Sequence, residues 1–171
     1  AEFWKLAYPM PYREGIEKYS RSQGLDPYLV AGLIRQESEF NPRALSRVKA
    51  HGLMQVMPAT GRDLARKLGI RPFTTAQLFD PNVSLQMGTY HFKDWLKSLN
   101  GQIEVTLAAY NAGKTRADRW LAKGNYREPA EFVENIPFTE TREYVQAVIR
   151  NADLYRRLYG VTSKNVNVSQ N

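Results

Sequence analysis

Apolar residues recur along most of the chain every three or four positions, and Gly, Pro, Asn and Asp interrupt them at intervals. Gly24 ends a first helix, and Asp26-Pro27 then supplies an N-cap and a first-turn proline for the next. That helix carries Val30, Leu33, Ile34 and Glu37 at i, i+3, i+4 and i+7, and Asn41-Pro42 closes it because a residue before proline is pushed out of the α region. Residues 43 to 57 show no periodicity and read as an irregular loop. Pro58 opens a helix with Leu64, Ala65 and Leu68 on one face and Gly69 after it. Asp80-Pro81 starts a longer one through Leu85, Phe92, Trp95, Leu96 and Leu99, stopped near Asn100-Gly101. Ile103, Leu107 and Tyr110 define the next, ending by Gly113, and Trp120-Leu121 mark a short one before Gly124. From Thr139, residues Tyr144, Val145, Val148, Ile149, Ala152 and Tyr155 make a long amphipathic stripe, with Glu140 and Glu143 near its start. No run alternates with period two for long enough to predict a strand. The pattern predicts an all-α fold.

One position breaks the pattern chemically. Glu37 falls on the apolar face of its helix, where loss of hydration raises a carboxyl's pKa towards neutrality and fits it to hold and release a proton. Glu39 falls off that stripe and reads as an ordinary solvated acid. The competing reading of Glu37 is a buried acid tied up by an arginine.

Composition narrows the choice. The 171 residues fit one domain large enough for a real core, with 43% hydrophobic residues and no run approaching a membrane span. The absence of cysteine excludes disulfides and thiol nucleophiles. The two histidines, His51 and His91, belong to no metal-ligand motif, so no metal and no cofactor is expected. A formal charge of +7 favours an anionic partner, and the scatter of its positive charges disfavours nucleic acid. Ala1-Glu2-Phe3-Trp4-Lys5 is no signal peptide, so an exported protein would have lost its signal or the chain would be an excised domain.

Four stretches in order carry a resemblance: Glu37-Ser38; Gly52-Leu53-Met54-Gln55-Val56-Met57-Pro58-Ala59-Thr60; Ala109-Tyr110-Asn111-Ala112-Gly113; and Ile136-Pro137-Phe138-Thr139-Glu140-Thr141-Arg142-Glu143-Tyr144-Val145. Together they resemble the lytic transglycosylase (SLT, goose-lysozyme-like) domain over roughly residues 10 to 160, and the fourth resembles the soluble, Slt-type members. The resemblance implies a lysozyme-like fold with a groove for a peptidoglycan glycan strand, and a periplasmic or otherwise extracytoplasmic location. It implies cleavage of the β-1,4 bond between N-acetylmuramic acid and N-acetylglucosamine without water, leaving a 1,6-anhydro end. Residues 1 to 10 would be an N-terminal segment linking to further domains, 11 to 160 the catalytic domain, and 161 to 171 a disordered tail.

Residue by residue, the resemblance gives Glu37 the roles of general acid and then base, and Ser46 a place near the reacting sugar's acetamido group. Gln55 and Met57 would line the cleft. The Tyr110 hydroxyl would face the catalytic carboxyl, with Asn111 beside it. Glu140 would meet the stem peptide, and Tyr144 and Arg142 would line the same groove. Each has a plainer reading: a turn-capping Ser46, a loop Gln55, a core Met57 and Tyr110, and a Glu140 placed for the helix dipole. The sequence departs from the family at Lys49, where a glycine is usual, and at Lys114-Thr115-Arg116, where Pro-Gly-Arg often stands. A lysine costs about 1 kcal/mol if that backbone needs positive φ. Two rivals share the resemblance: a goose-type lysozyme or endolysin that hydrolyses the same bond, and a non-catalytic peptidoglycan-binding module.

Overall fold

Gly32 marks the centre of the architecture, because a Cβ there would lie 2.8 Å from the backbone nitrogen of Ala152 and 2.9 Å from the carbonyl of Val148. Two helices therefore cross at backbone contact: α3 (Pro27–Ser38) and α9 (Thr139–Tyr159). They form the heart of a computed structural model that describes residues 2–160. The expected tail, 161 to 171, lies outside the described residues.

Around this pair run α1 (Glu2–Ala7), α2 (Arg13–Ser22), α4 (Pro58–Leu68), a 3-10 turn (Thr75–Phe79), α5 (Pro81–Ser98), α6 (Ile103–Ala112), α7 (Lys114–Ala122) and α8 (Pro129–Glu134). No strand occurs among the described residues; the nearest thing is a pair of isolated antiparallel bridges, Leu45 to His51 and His51 to Val56. The fold is all-α. Asp26 accepts from the Tyr28 backbone N–H and Asp80 from that of Val83, so both Asp-Pro pairs cap helices as the sequence predicts. α3 is apolar nearly all round, with Leu29 to Ile34 buried without a break, which suits a helix packed on several sides.

Three details differ from the sequence reading. α3 stops at Ser38, ahead of Asn41-Pro42, because Glu39 (φ 50) and Phe40 (φ 63) both turn left-handed. The 3-10 turn and α8 are too short to show a period. The N-terminal segment holds α1, whose Phe3 and Leu6 are exposed, while Tyr8 tucks beneath the guanidinium of Arg35 at 4.0 Å. Pro9 and Tyr8 accept from the hydroxyls of Tyr155 and Tyr159, which ties that segment to the end of α9.

Candidate active site

The last turn of α3 carries Glu37 out of the core to the edge of a groove. Its carboxyl is largely stripped of water, and this burial lifts its pKa from 4.5 to about 7. Opposing that rise, the Tyr144 hydroxyl of α9 donates to Glu37 Oε1 at 2.5 Å. The negative end of the α3 dipole acts in the same direction as burial. The close crossing at Gly32 is what brings the Tyr144 turn of α9 within reach of α3. No arginine pairs with Glu37 among the described residues, so the tied-up acid is not what forms here.

The loop from 43 to 57 forms one wall, and hydrogen bonds fix it on several sides. Ser38 Oγ donates to the Leu53 carbonyl at 2.8 Å, fastening the loop to the residue next to Glu37. The Met54 N–H donates to Ser84 Oγ of α5, and the Tyr110 hydroxyl of α6 donates to the Met54 carbonyl at 2.5 Å. Leu53, Met54 and Val56 are buried in consequence. Gly52 has φ 78, and a Cβ there would sit 2.1 Å from the Leu78 carbonyl, so no other residue fits that turn. Lys49, standing where the family has glycine, does take a left-handed conformation (φ 68). It closes a turn in which Ser46 accepts from the Lys49 and Ala50 N–H groups through its carbonyl and hydroxyl oxygens respectively.

Two hollows meet at Glu37, and Asn111 and Glu140 line both of them with it. The first, of about 510 Å³, runs between the loop, α5 and α6, and brings together Ser46, Gln55, Met57, Tyr110 and Asn111. Within it Gln55, itself at φ 52, spends its amide N–H groups on the carbonyls of Ala44 and Gly52. That leaves its side-chain oxygen as an acceptor for the groove. Met57 is 39% exposed at the rim, so it is not a core residue. The second hollow, of about 600 Å³, runs along α9 past Glu140, Glu143, Tyr144, Ala147 and Arg150.

Two tyrosines lie near Glu37 and differ in what their hydroxyls bond. Tyr110, expected to face the catalytic carboxyl, gives its hydroxyl to Met54, while Tyr144, expected only to line the groove, holds Glu37. Burial and the nearby Glu37 charge raise the pKa of both phenols well above 10, so both remain donors. Arg142 turns away from the groove to the Ile136 carbonyl and Thr139 Oγ1. At the other departure, α7 starts at Lys114 directly after Gly113 (φ 95), and Lys114 pairs with Asp118 at 2.9 Å.

The sequence reading overlooked three groove-related residues. Buried Thr141 donates to Asn111 Oδ1 at 2.8 Å, which turns the Asn111 amide N–H groups outward as donors. His91 and Trp95 line the same groove with their ring centres 4.2 Å apart and tilted at 53°, and burial lowers the His91 pKa to about 4, leaving it neutral at pH 7. Their i, i+4 spacing on α5 was a usable signal, although it equally marks a core face. Among the described residues, no three His, Asp or Glu side chains gather as a metal site would require.

Comparison with known proteins gives the family and the fold. Residues 14–133 match the transglycosylase SLT domain, and residues 135–164, which include α9, match the soluble lytic transglycosylase helical domain. The chain is 33% identical over 155 residues to the soluble lytic murein transglycosylase of Escherichia coli K12, covering 90% of this chain and 24% of that protein. A transglycosylase of the phage PRD1 is 37% identical over 123 residues, covering 72% of this chain and 42% of that one. The crystal structure of an inactive glutamate-to-glutamine mutant of lytic transglycosylase Slt from Pseudomonas aeruginosa superposes with a TM-score of 0.85 at 34% identity. That superposition covers 92% of this chain and 26% of the other, so the chain spans about a quarter of the soluble relatives it matches. With its matched core, its shared fold and the Glu37 groove, the chain belongs to the transglycosylase SLT domain family.

Proposed function

We propose that the chain is the catalytic domain of a peptidoglycan lytic transglycosylase that cleaves the β-1,4 bond between N-acetylmuramic acid and N-acetylglucosamine. The observation that carries this reading is the Glu37 carboxyl, buried, raised to about 7, and standing where two hollows meet. Near neutral pH about half of it is protonated, which suits a group that must first give a proton and then take one.

As general acid, Glu37 gives its proton to the glycosidic oxygen, and the bond from that oxygen to the muramoyl C1 breaks. The N-acetyl group of the same sugar stabilises the positive charge left at C1. Glu37, now a carboxylate, removes the proton of the C6 hydroxyl, whose oxygen closes on C1 to give the 1,6-anhydro ring. The proton count balances over the two steps, and no water is consumed. Tyr144 steadies the carboxylate between the steps through its hydrogen bond. Ser46, its hydroxyl oxygen already accepting from Ala50, offers its own O–H to the acetamido group. Gln55 accepts from and Asn111 donates to sugar substituents, Met57 covers one sugar face, and Tyr110 fixes the loop wall through its hydrogen bond to Met54. Glu140 meets the stem peptide where the hollows join. Such chemistry belongs outside the cytoplasm, and the greater length of the relatives points to further domains that would work beside this one. No helix among the described residues is long and apolar enough to cross a membrane.

Hydrolysis is the second reading, favoured by the carboxylates of Glu140 and Glu143 in the same hollow as Glu37, where one of them would activate water. Mass spectrometry of digested cell wall separates the two. Anhydro-muramoyl ends, lighter than reducing ends by one water, support transglycosylation, and reducing ends support hydrolysis.

A further inference from the structure

The hollow along α9 carries opposite charges at its two ends. Glu140, Glu143, Ala147 and Arg150 recur at i, i+3, i+7 and i+10, which aligns them on one face of the helix. Ten residues of helix span about 15 Å, the reach of a four- or five-residue extended peptide. At the far end Arg150 also lines a third hollow, of about 360 Å³, walled by Ala130, Val133, Val145 and Ile149. Gln146 and Arg150 belong to both hollows, so the surface runs unbroken from Glu37 to this apolar shelf.

Arg150 is exposed and, among the described residues, pairs with no carboxylate, although Glu104 and Glu134 line the same shelf. Glu140 and Glu143 are likewise unpaired there. A surface ordered as acid, small apolar, then unpaired arginine complements an amphoteric peptide with small side chains and a terminal carboxylate. It does not complement more glycan, whose lactyl carboxyls are amide-linked to peptide and leave no charge to offer Arg150.

Building on the transglycosylase reading, we propose that Arg150 is a specificity residue for that reaction. It takes the terminal carboxylate of the stem peptide that leaves the muramoyl residue along α9. A side-chain amino group of the peptide, whose N-terminus is amide-linked to the lactyl carboxyl, lies towards Glu140 and Glu143, and its small side chains rest on Ala130, Val133 and Ile149. A guanidinium fork matches a carboxylate in two parallel hydrogen bonds, which an ammonium cannot reproduce.

The test is cleavage of three glycan substrates: strands bearing free-carboxylate stem peptides, the same strands with those carboxylates amidated, and strands stripped of peptide. The wild-type protein should prefer free carboxylate over amide by about tenfold in kcat/KM. Arg150→Gln should lose that preference, with an unchanged melting temperature and cleavage of peptide-free strands within twofold of wild type. Arg150→Lys should keep only part of the preference. A wild type indifferent to amidation, or an Arg150→Gln loss equal on all three substrates, would overturn the proposal. If the wild type cuts none of them, the transglycosylase reading fails on its own. Binding of amidase-released stem peptides to wild type and Arg150→Gln then decides the role of Arg150, and equal affinities overturn it.

Discussion

The two hollows that meet at Glu37 are built by opposite means. On the side of the 43–57 loop, polar groups are committed to the protein: Gln55 to Ala44 and Gly52, Tyr110 to Met54, Ser46 to Ala50, Thr141 to Asn111. Each keeps its partner fixed, so the hydrogen-bonding directions offered to a sugar are set before one arrives. Along α9, Glu140, Glu143 and Arg150 stand in solvent without ion pairs among the described residues and must be ordered by whatever binds them. The difference teaches a division of labour. On the proposed reading, the rigid wall would serve the step where a proton moves, which tolerates little misplacement, and the solvated wall would serve selection among strands.

The largest break in this comparison is at the junction itself. Glu37→Gln keeps the shape and can still accept from Tyr144, but it carries no proton to give; cell-wall cleavage should fall about 10⁴-fold, the upper end for general acid–base catalysis. Stability should move the other way. A carboxyl whose pKa is raised by folding, here from 4.5 to about 7, contributes stability that is present below 4.5 and lost as pH rises through 7. The variant should therefore match wild type at pH 4 and exceed it by about 3 kcal/mol at pH 9, read as a higher melting temperature. Equal melting temperatures at pH 9 would mean that the carboxyl is not desolvated.

Tyr144→Phe removes the hydrogen bond that favours the charged form. The Glu37 pKa should rise further, carrying the alkaline fall of kcat/KM up by about one pH unit, with turnover at pH 6 about tenfold lower. Tyr110→Phe loosens the rigid wall: the buried Met54 carbonyl loses its donor, at a cost of about 1–3 kcal/mol in thermal unfolding. Its pH profile should stay where it was, since Tyr110 makes no bond to Glu37. Identical pH profiles for the two variants would erase the distinction drawn between these tyrosines. The smallest effect belongs to the solvated wall. Glu140→Gln should slow cleavage of peptide-bearing strands a few-fold and spare peptide-free glycan. A stability loss of about 0.3–1 kcal/mol with equal kinetics on both would instead make Glu140 only a first-turn acid of α9.

Much of this was legible in the sequence because helices announce themselves by period and cap. Both Asp-Pro starts, the Gly69 end of α4 and the stripe of α9 fall where the pattern puts them. Glu37 stood out because a charge on an apolar face has few explanations. What stayed hidden depends on contacts between residues far apart in the chain. Periodicity marks Tyr110 and Tyr144 alike as inward-facing, and only the crossing of α3 and α9 at Gly32 decides which one reaches the carboxyl. The 43–57 loop has no period at all. Its order comes from Ser38, Ser84 and Tyr110, three residues on three helices, and no local pattern encodes that arrangement.

Burial keeps a proton on Glu37 near neutral pH. Carbon NMR of the protein labelled at its glutamate carboxyls, with Glu37→Gln to assign the resonance, measures that directly. The Glu37 carboxyl should titrate at about 7, with an alkaline fall in kcat/KM at the same pH. A Glu37 resonance titrating between about 4 and 5, the ordinary glutamate range, would contradict it.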